Sequence, residues 1–132
     1  MSKTVREIID YADRIKPNAF GDENKVMWMN EIEGRIMREI FLMSEADRYE
    51  FTKDRVYADE NPDRVLVEVP YDNIYGLYLA AQIDYANGEY NKYNNTMQAF
   101  NAAMIAFTKY FADTYAPADG YYTDIPLSLR KV

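Results

Sequence analysis

Apolar side chains recur every three or four residues along most of this chain, which is the spacing of one face of an α-helix. The first such stretch predicts a helix over residues 5–15, begun by Thr4 and Glu7 as a capping box and terminated by Pro17. A second and broader apolar stripe predicts a helix over about residues 23–43. The first third of the chain is therefore expected to be helical.

The second half of the chain carries two further helical stripes and few charges. We predict helices over about residues 72–87 and 89–114, separated by a turn at Asn87-Gly88. Among residues 71–114 the charged side chains are Asp72, Asp84, Glu89, Lys92, Lys109 and Asp113. A helix surrounded by water normally carries Lys and Glu on its outer face. We therefore expect more than one face of these helices to be covered by protein, in part by copies of the same chain.

The segment between the second and third helices has a different pattern. Residues 48–52 and 64–69 alternate in polarity and favour aromatic or β-branched side chains, and a charged, turn-rich stretch separates them. This predicts a small β-hairpin or extended arm over about residues 44–70. The predicted fold is thus mainly α, a bundle of about four helices with an arm. It forms one domain over residues 1–116, followed by an extended tail over residues 117–132.

Composition removes several classes of chemistry. The chain of 132 residues has no His and no Cys, which excludes Ser-His-Asp and Cys-His nucleophilic sites, zinc–thiolate sites and disulfides. It has no glycine-rich phosphate loop, so we predict no catalytic, metal or cofactor-binding residues. The net charge of −7 argues against wrapping DNA or sitting on an anionic membrane, since both need clustered Lys and Arg. With no signal peptide pattern and no apolar run of ~20 residues, synthesis in the cytoplasm is expected.

The 13 tyrosines allow two interpretations. Tyr suits half-buried helix faces without any special role, and it is also enriched at protein–protein interfaces. Because the tyrosines of the last two helices cannot all face one small core, we expect some of them to lie between subunits. The candidate subunit-interface residues are Tyr75, Tyr78, Tyr85, Tyr90 and Tyr110. The candidate partner contacts in the tail are Tyr121, Tyr122, Leu127 and Leu129.

Three stretches resemble a known group of proteins. They are TVREIIDYAD at residues 4–13 followed by KPNAF at 16–20, YGLY at 75–78, and DYANGEYNKYNN at 84–95. Together they resemble the phage and prophage head–tail connector, or neck adaptor, family, over roughly residues 4–115. The resemblance rests on the overall pattern of these stretches.

The resemblance implies a non-enzymatic protein whose copies form a ring under the portal, extend the DNA channel and join the capsid to the tail. Its implied partners are copies of itself, the portal protein, and the adjacent neck or tail-completion protein. DNA would pass through without specific binding. The implied location is the virion neck, reached from the host cytoplasm during assembly. The arm at residues 44–70 and the tail after residue 116 would then contact the neighbouring rings.

Two other classes of function stay open at this point. The first is a small acidic helical binding module, an inhibitor or regulator that masks a basic partner and binds it in a salt-sensitive way. The second is a carboxylate-based enzyme, which would need paired acids in a concave pocket.

Overall fold

The computed structural model describes residues 2–52 and 64–114, and within these two stretches the chain is mainly helical, as predicted. No residue in either stretch belongs to a β-strand. The helices are α1 (Val5–Ile15), α2 (Asp22–Arg35), α3 (Glu45–Thr52), α4 (Asn73–Ala86) and α5 (Tyr90–Thr114). A π-helical turn, Ile36–Ile40, continues α2.

Helix α1 begins and ends at the predicted residues. The Thr4 hydroxyl accepts a hydrogen bond from the Glu7 N–H at 3.1 Å, and the Glu7 carboxylate accepts one from the Thr4 N–H at 3.2 Å. This reciprocal capping box satisfies two backbone donors that a helix start otherwise leaves unpaired. The predicted capping box is thereby confirmed.

Replacing Thr4 by Ala should lower the free energy of unfolding by about 1 kcal/mol, because the hydroxyl acceptor of the cap is lost. Urea denaturation monitored by circular dichroism measures this difference. Thr4→Ser keeps the hydroxyl and serves as the control. An equal loss of stability in both variants would contradict a role for the cap.

Helix α2 does not run uninterrupted to residue 43 as predicted. It changes to π-helical spacing at Ile36, where the Phe41 N–H donates to the Ile36 carbonyl at 3.0 Å. Leu42 then takes a positive φ of 52° and ends the run. The wider turn keeps Ile36, Met37 and Ile40 together in the core.

Helix α4 lies at the centre of the described structure, because α1, α2 and α5 all pack against it. Nine of its fourteen residues are buried. A helix that is apolar on every side is expected to be enclosed. The low charge of α4 therefore has its cause within this chain, and contact with other copies is not needed to explain it.

Helices α4 and α5 form an antiparallel pair. Gly88 occupies the turn with φ of 75°, a conformation that glycine adopts without a steric penalty. Ring contacts then follow along the pair, from Tyr85–Tyr93 through Tyr78–Phe100 to Tyr71–Phe107. The buried stripe of α5 consists of Phe100, Met104, Phe107 and Phe111.

The predicted β-hairpin is wrong. Its first strand, residues 48–52, belongs instead to α3, whose first turn is capped where the Asp47 N–H donates to the Ser44 hydroxyl at 3.1 Å. The second predicted strand makes one isolated bridge, between Arg64 and Thr4, and Val65 N–H donates to the Lys3 carbonyl at 3.0 Å. The hairpin turn falls within residues 53–63, outside the described residues.

A buried carboxylate attaches the segment after residue 64 to the core. Glu33 on α2 is 1% exposed and accepts hydrogen bonds from the Leu66 N–H, at 3.0 Å, and from the Tyr75 hydroxyl. The same hydroxyl accepts from the Val67 N–H at 3.0 Å. Residues 66 and 67 are thus held by α2 and α4 through side-chain hydrogen bonds in place of a partner strand.

Candidate interaction surface

Between Asn91 and Ile105, one face of α5 is exposed to solvent and carries no charge. We name it the α5 outer face; its exposed residues are Asn91, Asn94, Asn95, Gln98, Asn101, Ala102 and Ile105. These residues recur at steps of three and four, so they form one continuous stripe along the helix. Ile105 is the largest apolar side chain of the stripe and is 69% exposed.

The composition of this face differs from that of an ordinary solvated helix surface, which is rich in Lys and Glu. Protein–protein contacts are depleted of charged residues at their centre, because burying an unpaired charge costs free energy. Charges lie at the borders of the α5 outer face, as the exposed pairs Lys92–Glu89 at 3.0 Å and Lys109–Asp113 at 3.2 Å. A third exposed pair, Arg35–Glu39 at 2.9 Å, lines a pocket together with Ile105. A neutral centre with a polar rim is also common in protein–protein interfaces.

The five candidate interface tyrosines separate into two groups. Tyr75 and Tyr78 are buried within this chain and present almost no surface to a neighbour. Tyr85, Tyr90 and Tyr110 are exposed. The ring of Tyr85 packs against Tyr90, with the centroids 5.4 Å apart, so both stand at the turn end of α5.

Tyr110 marks the opposite end of α5. Its ring stacks on Tyr71, with the two centroids 4.5 Å apart. The candidate partner contacts Tyr121, Tyr122, Leu127 and Leu129 lie outside the described residues, so their role stays a prediction.

Burial also sets the ionisation of Tyr78. Loss of water around the phenol, followed by the nearby Glu31 carboxylate, raises the pKa of Tyr78. The hydroxyl lies 3.5 Å from Glu31, a long hydrogen bond. Tyr78 is therefore a neutral core residue whose ring packs on Phe100.

A groove of about 240 Å³ opens between α1 and α4. We name it the α1–α4 groove; its lining residues are Lys3, Ile8, Tyr11, Ile15, Asp72, Asn73, Gly76 and Leu77. A Cβ atom added to Gly76 would meet the Tyr11 ring at 3.6 Å, an ordinary contact distance. The ring therefore lies directly over the α4 backbone, and the walls of the groove are mainly apolar.

Asp72 supplies a polar group to the α1–α4 groove. Its side chain is 8% exposed, and its Oδ2 atom has no aligned hydrogen-bond donor within residues 2–52 and 64–114. The Lys3 ammonium lies 3.3 Å from this oxygen, close enough for attraction but not aligned as a donor. The Lys3 ammonium is therefore the group that offsets the burial of the Asp72 carboxylate.

A buried ion pair fixes the relative positions of α1, α4 and α5. Asp84 on α4 is 1% exposed and contacts the Lys16 ammonium through both oxygens, at 2.7 and 2.9 Å. The Thr96 hydroxyl of α5 donates to the same carboxylate at 3.3 Å. These three polar groups have a structural role, because they contact one another between packed helices.

Residues 2–52 and 64–114 contain no cluster of three or more acidic side chains arranged to hold a metal ion. None of the helices in the same stretches is long and apolar enough to cross a membrane. Comparison with protein-family models, with curated proteins and with solved structures gives no match for this chain. The connector resemblance therefore rests on the sequence pattern alone.

Proposed function

We propose that this chain is a structural virion assembly protein of the head–tail connector type. Copies of the chain associate side by side into a ring under the portal, extend the DNA channel and meet the adjacent neck or tail-completion protein. The chain acts at the virion neck after assembly in the host cytoplasm, and it has no enzymatic role. The observation that supports assembly is the uncharged, solvent-exposed α5 outer face.

The free energy of removing side chains from water favours lateral contact through the α5 outer face over leaving that face exposed. Amide and alanine side chains lose less on leaving water than charged side chains do, and Ile105 gains from burial. The tyrosines at the two ends of α5 extend the contact area with few rotatable bonds. The net charge of −7 is compatible with a channel wall that repels DNA and leaves the duplex mobile.

The ion pairs on the protein surface give less support to the alternative function, an acidic module that binds a basic partner. Surface acids such as Asp10, Glu39 and Asp113 each pair with a basic residue four positions away on the same helix. These pairs reduce the local field that would attract a basic partner. The proposal therefore places recognition on neutral and apolar side chains.

We expect the wild-type protein to form oligomers, alone or with a portal protein, in native mass spectrometry. The double variant Asn101→Glu/Ile105→Glu should weaken this association by about tenfold or more, since each added carboxylate would lose water on contact and 1.4 kcal/mol corresponds to a factor of ten. Met27→Glu/Asn30→Glu places the same two charges on the exposed side of α2 and serves as the matched control.

Two results would count against the proposal. A wild-type protein that stays monomeric at every concentration and never joins a portal would remove its basis. Equal weakening by the α5 and α2 double variants would show that added charge acts nonspecifically and not through the α5 outer face.

A further inference from the structure

We propose that the tail of this chain docks on its own helical domain, with residues 125–129 lying along a second groove, between α5 and the end of α2. This groove has a volume of about 510 Å³, and its apolar lining residues are Ile40, Met104, Ile105 and Ala112. We name it the α2–α5 groove. Docking of the tail in this groove does not depend on ring assembly.

The α2–α5 groove follows α5 as far as its last turn, from which the tail departs. The Arg35 guanidinium lies 5.6 Å from the centre of the Phe100 ring, and the Phe41 ring stacks on Phe111 with the centroids 4.9 Å apart. Helix α2 and its π-helical turn therefore run in the same direction as α5. The lining residues on α5 extend to Ala112, and α5 ends two residues later. Residues 115–132 thus begin beside one end of the groove.

The tail contains a segment of the length that the groove requires. The groove extends along α5 from Met104 to Ala112, which is ~12 Å at ~1.5 Å per residue. Residues 125–129 in an extended conformation would cover ~13 Å at ~3.3 Å per residue. Residues 115–124 would make the return from the end of α5, and they include Pro117 and Gly120, residue types that favour turns.

The pattern of this segment matches an apolar groove. Ile125, Leu127 and Leu129 alternate with Pro126 and Ser128. Alternate side chains of an extended chain share one face, so the three apolar side chains would enter the groove together. They would cover Ile105, which at 69% is the most exposed large apolar side chain of the described residues, and its removal from water favours docking. Association through the α5 outer face would then require the tail to leave first.

The absence of cysteine from the chain allows a single thiol to report whether the groove is covered. Ile105→Cys places that thiol in the α2–α5 groove. Its rate of modification by a maleimide is measured in the full-length chain with the native tail and with the tail variant Leu127→Ser/Leu129→Ser. Met27→Cys, at a side chain 51% exposed on α2, is the matched control.

We expect the native tail to slow modification of the Ile105→Cys thiol by about fivefold or more relative to the tail variant, because a docked segment must open before the reagent enters. The Met27→Cys thiol should react at the same rate with both tails, which also shows that the tail variant keeps the fold. The protection should persist on about hundredfold dilution, since docking within one chain does not depend on protein concentration.

Two results would overturn this assignment. Equal rates of Ile105→Cys modification with the two tails would show that residues 125–129 do not cover the groove. Protection that disappears on dilution would show that a second copy of the chain, and not the tail of the same copy, occupies it.

Discussion

Replacing Tyr75 by Phe should lower the free energy of unfolding by about 2–4 kcal/mol, although only one oxygen atom is removed. The Tyr75 hydroxyl donates to the buried Glu33 carboxylate and accepts from the Val67 N–H. Without it, the buried N–H loses this acceptor and the carboxylate loses this donor, and each such loss costs about 1–3 kcal/mol. The ring itself still fills its place in the core.

Urea denaturation monitored by far-ultraviolet circular dichroism measures the effect. Tyr78→Phe is the matched control, because the Tyr78 hydroxyl makes only a 3.5 Å contact with Glu31 and its removal should cost less than about 0.5 kcal/mol. A subunit-interface role for Tyr75 would give the reverse result, with weakened association and unchanged stability. Similar losses in the two variants would contradict the buried network.

Replacing Lys16 by Ala should destabilise the fold by about 3 kcal/mol, because it leaves the Asp84 carboxylate buried without its cation. This figure is the lower end of the range for broken buried pairs, chosen because the Lys16 side chain is 29% exposed while that of Asp84 is 1% exposed. The double variant Lys16→Met/Asp84→Leu should recover most of the loss, since an apolar pair of similar size does not need a cation.

The exposed pair of Lys92 and Glu89 provides the comparison for this prediction. Lys92→Ala removes a cation at a similar distance, 3.0 Å, but in water, and should change stability by less than about 0.5 kcal/mol. Guanidinium denaturation of the three variants beside the wild type separates burial from charge. A Lys16→Ala loss no larger than that of Lys92→Ala would mean that water reaches Asp84.

The helices with regular apolar stripes were predictable from sequence. Local sequence signals mark both ends of α1, the Thr4–Glu7 capping box at its start and Pro17 after its end. The observed bounds agree with the prediction. Helix α4 is one residue shorter than predicted at each end, and α5 begins one residue later than predicted and ends at the predicted residue. Where a regular apolar stripe lies between clear helix-start and helix-stop signals, tertiary contacts have little effect on the bounds of the helix.

The sequence does not predict α3 because residues 48–52 fit both the two-residue period of a strand and the 3.6-residue period of a helix. Residues 48–52 alternate in polarity, which is typical of a strand, yet they also continue a helix that begins after Ser44. The signal that favours a helix was present in Ser44-Glu45-Ala46-Asp47, where a serine cap precedes acidic residues in the first turn. The capping hydrogen bond between Asp47 N–H and Ser44 decides in favour of the helix.

The candidate interface could be predicted only in part. The low charge of the last two helices has separate causes, since α4 is enclosed by its own chain while α5 keeps an exposed neutral face. Sequence spacing alone does not show which helix is central. Tyr75 and Tyr85 are both candidate interface residues by sequence, but Tyr75 is buried and Tyr85 is exposed. The Asp72 oxygen and the α1–α4 groove depend on contacts between distant segments and have no local signature.

The central position of α4 has a consequence for fragments of this protein. The apolar faces of α1 and α2 are buried against α4. The ribosome makes α4 some twenty residues after the end of α3. A cut within residues 53–63 would leave an N-terminal piece whose core residues, Ile9 and Met29 among them, face water. Split-reporter fusions at that site would therefore reunite only through reassembly of the whole interior, not through docking of two preformed halves.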